Sequence, residues 1–174
     1  VEATNVEWVR TKSPCHELRA GEAVVAILRW EHTLDALATA QAAEGSWVFR
    51  RRGRLVPRQV SVRTLQPDAE IALLNCSQRR DPSLVFADGQ TYRWLNINRT
   101  TWMWVTGGLV NVPLLRLSLE TRIFSYRARV EIEAEGRTCA DLSLLALLGW
   151  YQMVLKHEDD TAAALSAALA ATAG

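Results

Sequence analysis

Cysteine is scarce in this chain: 174 residues carry three, Cys15, Cys76 and Cys139, scattered and without a C-x-x-C pair. That excludes a disulfide framework and leaves reduced thiols in a cytoplasmic setting as the expectation. Charge of one sign is also lacking. Lys+Arg 20 against Asp+Glu 19 leaves a formal net charge of +1, so no global field draws the protein to nucleic acid or an anionic membrane, and such binding has to come from a local patch. The first residues, VEATNVEWVR, have neither a basic start nor an apolar run, so a signal peptide is not expected.

Catalytic signatures are missing as well. There is no G-x-S-x-G, Walker A or dinucleotide glycine motif. His16, His32 and His157 are far apart, with no second histidine or cysteine at metal spacing, and Cys15 and His16, being adjacent, point to opposite faces of an extended strand. The acidic run Glu158-Asp159-Asp160 lacks the alternate spacing and turn glycine of a calcium loop. These absences assign no catalytic residue, no cofactor and no metal, and point away from an enzyme.

What is present is a period-2 grammar from Val24 to about Glu135, in short runs of 8–12 residues broken by turn signals. Candidate strands are Ala23–Trp30, Ser46–Arg52, Val56–Leu65, Glu70–Cys76, Ser83–Ala87, Thr91–Ile97, Thr101–Thr106, Leu109–Leu119 and Tyr126–Ala134, with His32–Ala43 read as a short loop and then a strand. Arg52-Gly53 and Asp88-Gly89 place a glycine where a hairpin needs positive φ, and Gly107-Gly108 marks a third turn. With no helices interleaved, the pattern favours a sandwich or barrel over βαβ units.

Leu142–Leu155 (LSLLALLGWYQMVL) is different in kind, with only Ser143 and Gln152 polar. A helix apolar on every side is either in a bilayer or enclosed by protein. At ~1.5 Å per residue it spans about 21 Å, short of the ~30 Å hydrocarbon core. Enclosure by strands is therefore expected, with Leu145, Leu148 and Trp150 almost fully buried and no transmembrane segment. Asp141 or Ser143 suits the N-cap, and Lys156 and His157 suit the last turn, so the helix is expected to stop there. The acidic residues after it favour a new start, and Ala-rich Thr161–Thr172 reads as a weak helix or tail.

Arg50, Arg51, Arg52, Arg54 and Arg58 form the densest basic cluster, straddling Gly53. Converging guanidinium groups make an anion or lipid-headgroup site; the competing reading is a solvated hairpin tip whose charges keep edges from pairing. Arg79-Arg80 joins the patch only if folding brings the two loops together. Seven tryptophans could stack bases, but only Trp102 and Trp104 stand at i, i+2 on one strand face, so core packing is the better reading and no nucleic-acid partner is expected.

Gly45-Ser46-Trp47-x-Phe49, Gly89-x-x-Tyr92-x-Trp94 and Leu144-Leu145-x-Leu147-Leu148-Gly149-Trp150-Tyr151, followed by Asp159-Asp160 and alanines, resemble the tubby C-terminal-like superfamily, in the manner of a small bacterial-type member. That superfamily includes tubby, LURP-one-related and phospholipid scramblase-like proteins, and the resemblance covers about residues 15–160. It implies a closed antiparallel barrel of about twelve strands around a C-terminal hydrophobic helix. Tubby domains bind phosphoinositides through a lysine and an arginine on the barrel surface. No motif here matches those positions, so the resemblance implies the class of ligand and not its residues.

The sequence is thus read as a barrel over 1–160 with a central helix 142–156 and an Ala-rich end, 161–174. Its expected role is non-enzymatic binding of an anionic lipid headgroup or a protein partner through surface arginines, in a cytoplasmic, membrane-peripheral place. A small-ligand or enzymatic barrel, which needs a cavity, and a structural or assembly module are the alternatives.

Overall fold

A computed structural model describes residues 6–11, 14–32, 36–53, 58–76, 81–122 and 125–172. Twelve strands follow one another in chain order: β1 (Val6–Arg10), β2 (Cys15–Ala20), β3 (Ala23–His32), β4 (Leu37–Ala42), β5 (Gly45–Arg52), β6 (Arg58–Thr64), β7 (Ala69–Cys76), β8 (Ser83–Phe86), β9 (Thr91–Asn98), β10 (Thr101–Thr106), β11 (Pro113–Arg122) and β12 (Ser125–Ile132). Each pairs antiparallel with its neighbours, and β1 pairs with β12, so the sheet closes with no edge left. A 3₁₀ turn, Glu135–Thr138, leads into one helix, α1 (Leu142–Thr172).

The inward rows follow the two-residue period. Trp8 of β1, Ala26, Leu28 and Trp30 of β3, Ala38 and Ala40 of β4, Trp47 and Phe49 of β5, Trp94 of β9, Trp104 of β10 and Leu115 and Leu117 of β11 are all buried. An eight-stranded barrel is filled by its own side chains. Twelve strands with alanine on part of the wall leave space for a helix about 10–12 Å across. Leu144–Trp150 of α1 fills that space, with Leu145, Leu147 and Leu148 at 0% exposure and Trp150 at 1%, as the apolar wheel requires.

Both ends of the buried stretch are tied. Where α1 goes in, the Tyr92 hydroxyl donates to the Asp141 carboxylate at 2.8 Å, and a side chain on Gly136 would meet the Leu114 carbonyl oxygen at 1.9 Å. Only glycine allows that approach. Where α1 leaves, the Tyr151 hydroxyl donates to the Ala36 carbonyl, at a residue with φ of 46°.

Three expectations need correcting. The helix does not stop at Lys156: it continues as one element to Thr172. The acidic run sits mid-helix, and the good helix formers beyond it carry the helix on into solvent, where Leu165 and Leu169 are exposed. The strand predicted from Leu109 begins at Pro113. Leu109 and Val110 lie exposed in the β10–β11 turn, where the Thr106 hydroxyl donates to the Val110 carbonyl and accepts from the Val112 amide. Finally, β1 and β2 precede the stretch in which strands were read; β1 carries a single fully buried residue, Trp8, too little alternation for a period to show. Gly53 and Gly89 do have positive φ, 78° and 91°, and β4 begins at Leu37, within the segment read as a loop and then a strand; residues 33–35 of that segment lie outside the described residues. Residues 56 and 57, at the start of one predicted strand, lie outside the described residues.

One helix is thus enclosed in its first half and largely exposed to solvent in its second. Leu148→Asp places an unpaired charge in the packed centre and is expected to cost several kcal/mol, enough to unfold the domain. Leu165→Asp on the exposed half should change stability by no more than about 0.5 kcal/mol. Urea unfolding of the two variants separates these outcomes; a folded Leu148→Asp protein would refute the enclosure.

Candidate functional site

Because strands alternate in direction, the turns after β1, β3, β5, β7, β9 and β11 share one mouth of the barrel, and α1 leaves through it. The arginine hairpin of β5 and β6 stands there. Its residues divide by phase. Arg51 continues the inward row of Trp47 and Phe49, and Arg58 continues that of Val60 and Val62. Arg50 and Arg52 lie on the outer face.

The two inward arginines converge on the helix. Arg51 Nη1 donates to both oxygens of Asp159, at 3.3 and 3.2 Å, and Arg58 Nη1 donates to Asp159 Oδ2. Arg52 is paired with Glu70 at 2.7 Å on the outer face, and Arg50 is exposed. Arg54, and with it Arg79 and Arg80, lies outside the described residues. The predicted cluster therefore splits: Arg51 and Arg58 form one site with the helix, Arg52 is held by Glu70 across β6 on the outer face, and Arg50 faces solvent.

Around the Asp159 junction lies a cleft of about 850 Å³. Arg51, Arg58, Arg99 and Lys156 stand on it as four cations, against two carboxylates, Asp159 and Asp160. Lys156 Nζ is 3.0 Å from Asp160. Asp159 is shared between two guanidinium groups, and Arg99 has no ion pair among the described residues. Trp94 and Trp102 give the cleft an apolar floor. Cys76 lies in it too, with its thiol 3.9 Å from Gln152 Oε1. Burial outweighs the nearby Arg58 and pushes that thiol up to about 11, so it stays protonated at neutral pH.

On the opposite face of α1 is a second cavity, of about 410 Å³, with Trp30, Trp150 and His16 among its walls. His16 is 5% exposed and stacks edge-on against Trp150, ring centres 5.6 Å apart. Burial first, and the Arg10 charge second, lower its pKa from 6.5 to about 4. His16 is buried because its inward phase on β2 carries it under the helix.

Asp159 is the functional residue that sequence reasoning missed, having been read as part of a new helix start. The signal was available in the strand phase: Arg51 is in register with Trp47 and Phe49, so it had to meet whatever left the barrel. No family model matches the chain, and neither a curated protein nor a solved structure does.

The depressed His16 pKa has a thermodynamic consequence. Above pH 6.5 the imidazole is neutral in both states. As pH falls from 6.5 towards 4 the unfolded chain binds a proton that the folded chain refuses, so stability is lost over that window, by about 3 kcal/mol once pH is below 4. Urea unfolding across this range should show His16→Gln lacking that part of the decline, while an identical slope in both proteins would show that His16 is not held neutral.

Proposed function

We propose that this protein is a non-enzymatic binding domain that recognises an anionic, phosphate-bearing group in the cleft between α1 and the β5–β6 mouth. The observation that carries the reading is the local charge surplus: four cations face two carboxylates around one concave site, in a chain whose total charge is only +1. Guanidinium groups suit phosphate because they donate in a planar fork, and a half-enclosed cleft screens such contacts less than open surface does. The protonated Cys76 and the solvent-poor His16 supply neither a nucleophile nor a base at neutral pH. Membership of the tubby-like superfamily is proposed with this, supported by the twelve-stranded barrel closed round a C-terminal helix; since one fold hosts many activities, the site rather than the fold carries the functional argument.

Two sources present the same chemistry, a lipid headgroup and a free phosphate compound. Flotation with phosphatidylcholine vesicles, with and without a phosphoinositide, and titration with a soluble inositol phosphate distinguish them. Binding in both arms identifies the headgroup as the recognised unit, and binding only to the soluble compound places the ligand in solution. Arg99→Glu and Lys156→Glu should each weaken binding by about tenfold or more, the worth of one charge-assisted hydrogen bond, and Arg50→Ala should leave it unchanged. Asp159→Asn removes the internal competitor and should tighten binding while lowering stability. Absence of binding in both arms, or indifference to the two charge reversals, overturns the proposal.

A further inference from the structure

The 410 Å³ cavity lies on the face of α1 turned away from the charged cleft, between the helix and the rim formed by β1, β2, β3 and β11. Its position follows from helical period. Trp150, Val154, His157, Thr161 and Leu165 recur at three- and four-residue steps along one side of α1, whereas Gln152, Lys156 and Asp159 recur along the other. No ligand can occupy both sites at once without passing through the helix.

The walls are mainly apolar, with Trp30, Leu119, Trp150, Met153, Val154 and Leu165, and carry one polar pair, His157 Nε2 and the Thr161 hydroxyl, 3.2 Å apart. At the rim stand one cation and one anion, Arg10 and Glu158, so the opening favours neither charge. The remaining polar features are unusual. His16 Nδ1, Trp30 Nε1 and Trp150 Nε1, on three residues that line the cavity, have no hydrogen-bond partner among the described residues and are themselves fully buried. These three atoms are shut off from the cavity, so the polar surface that an occupant meets is the small exposed part of His16 together with the His157–Thr161 pair. A space of about 300–1,000 Å³, mainly apolar, with a few polar groups at its wall is the common form of a small-molecule site.

We propose that this cavity binds an uncharged, largely apolar small molecule bearing one hydrogen-bonding oxygen, with His16 as its polar contact. A charged ligand is disfavoured because the walls give it no counter-ion away from the rim. This site lies on the other side of α1 from the charged cleft and differs from it in chemistry, with Met153 bordering both.

The probe is 6-propionyl-2-dimethylaminonaphthalene, a neutral fluorescent ketone, titrated into the full chain. Binding is expected to be saturable at one molecule per chain, with blue-shifted emission and energy transfer from tryptophan, since Trp30 and Trp150 line the site. Ala162→Trp fills the cavity from the exposed helix face and should abolish binding with the melting temperature kept. His16→Phe retains the ring and removes the polar contact, and should weaken binding roughly two- to tenfold. Should that variant fail to fold, Ala162→Trp still decides. Arg99→Glu should bind the ketone like the parent protein, which separates this site from the anion cleft. Non-saturable binding, no binding, or equal binding by Ala162→Trp overturns the proposal.

Discussion

Everything in this fold depends on enclosing the three residues Gly149, Trp150 and Tyr151 in a layer of aromatic rings. Trp8 stacks on Trp150 with ring centres 5.7 Å apart, Trp30 stacks on Tyr151 at 4.8 Å, and Phe49 meets Tyr151 edge-on at 5.4 Å. Trp94 and Trp104 close the layer over Gly149, where a Cβ would come within 2.9 Å of both indoles. Five strands, β1, β3, β5, β9 and β10, thus send one large ring each to the same level of the helix. A glycine in mid-helix costs about 1 kcal/mol relative to alanine, but here it admits two indoles to the helix surface, and burying one large side chain is worth about 1.5–3 kcal/mol. The packing term wins.

That layer explains the barrel's closure and its polar economy. A helix apolar on all sides has no face to offer to water, so every inward strand position must cover it, and an open sheet would leave one side bare. Directional bonds are confined to the two mouths: Tyr92 to Asp141 at one, Tyr151 to Ala36 and the two arginines to Asp159 at the other. Within the layer the indole nitrogens of Trp8, Trp30, Trp104 and Trp150 have no partner among the described residues. The ring area they bring offsets that cost.

Most of the architecture could be read from residue order, and the reasons are local. Arg52-Gly53 and Asp88-Gly89 announce turns because positive φ is cheap only there, and Leu142–Leu155 announces its own burial. The helix end was not legible: Lys156, His157 and the acids after them satisfy both a stop-and-restart and a continuous helix, and only the contact of Asp159 with Arg51 and Arg58 decides between them. The arginine cluster was half legible. Sequence proximity put Arg50, Arg51, Arg52 and Arg58 together, but strand phase alternates their directions, so neighbours in the chain became opposite faces of the sheet. His16 was hidden for the converse reason. One inward polar residue on a short strand looks the same, in sequence, as one outward.

A barrel plugged by its own helix also dictates where binding can occur. Moving a charge from water to a protein interior costs several kcal/mol, so the inward rows carry none through the aromatic layer. The first positions at which an inward residue can keep its charge are the last ones before the mouth. Arg10, Arg51 and Arg58 occupy those positions on β1, β5 and β6. Because α1 continues through that mouth, it divides the opening into two halves and presents each with a different side of itself. One half receives Lys156, Asp159 and the convergent arginines, the other Trp150, Val154 and Leu165. The charged cleft and the apolar cavity are therefore two consequences of a single fact: the helix that has to be hidden does not end where its hiding place ends.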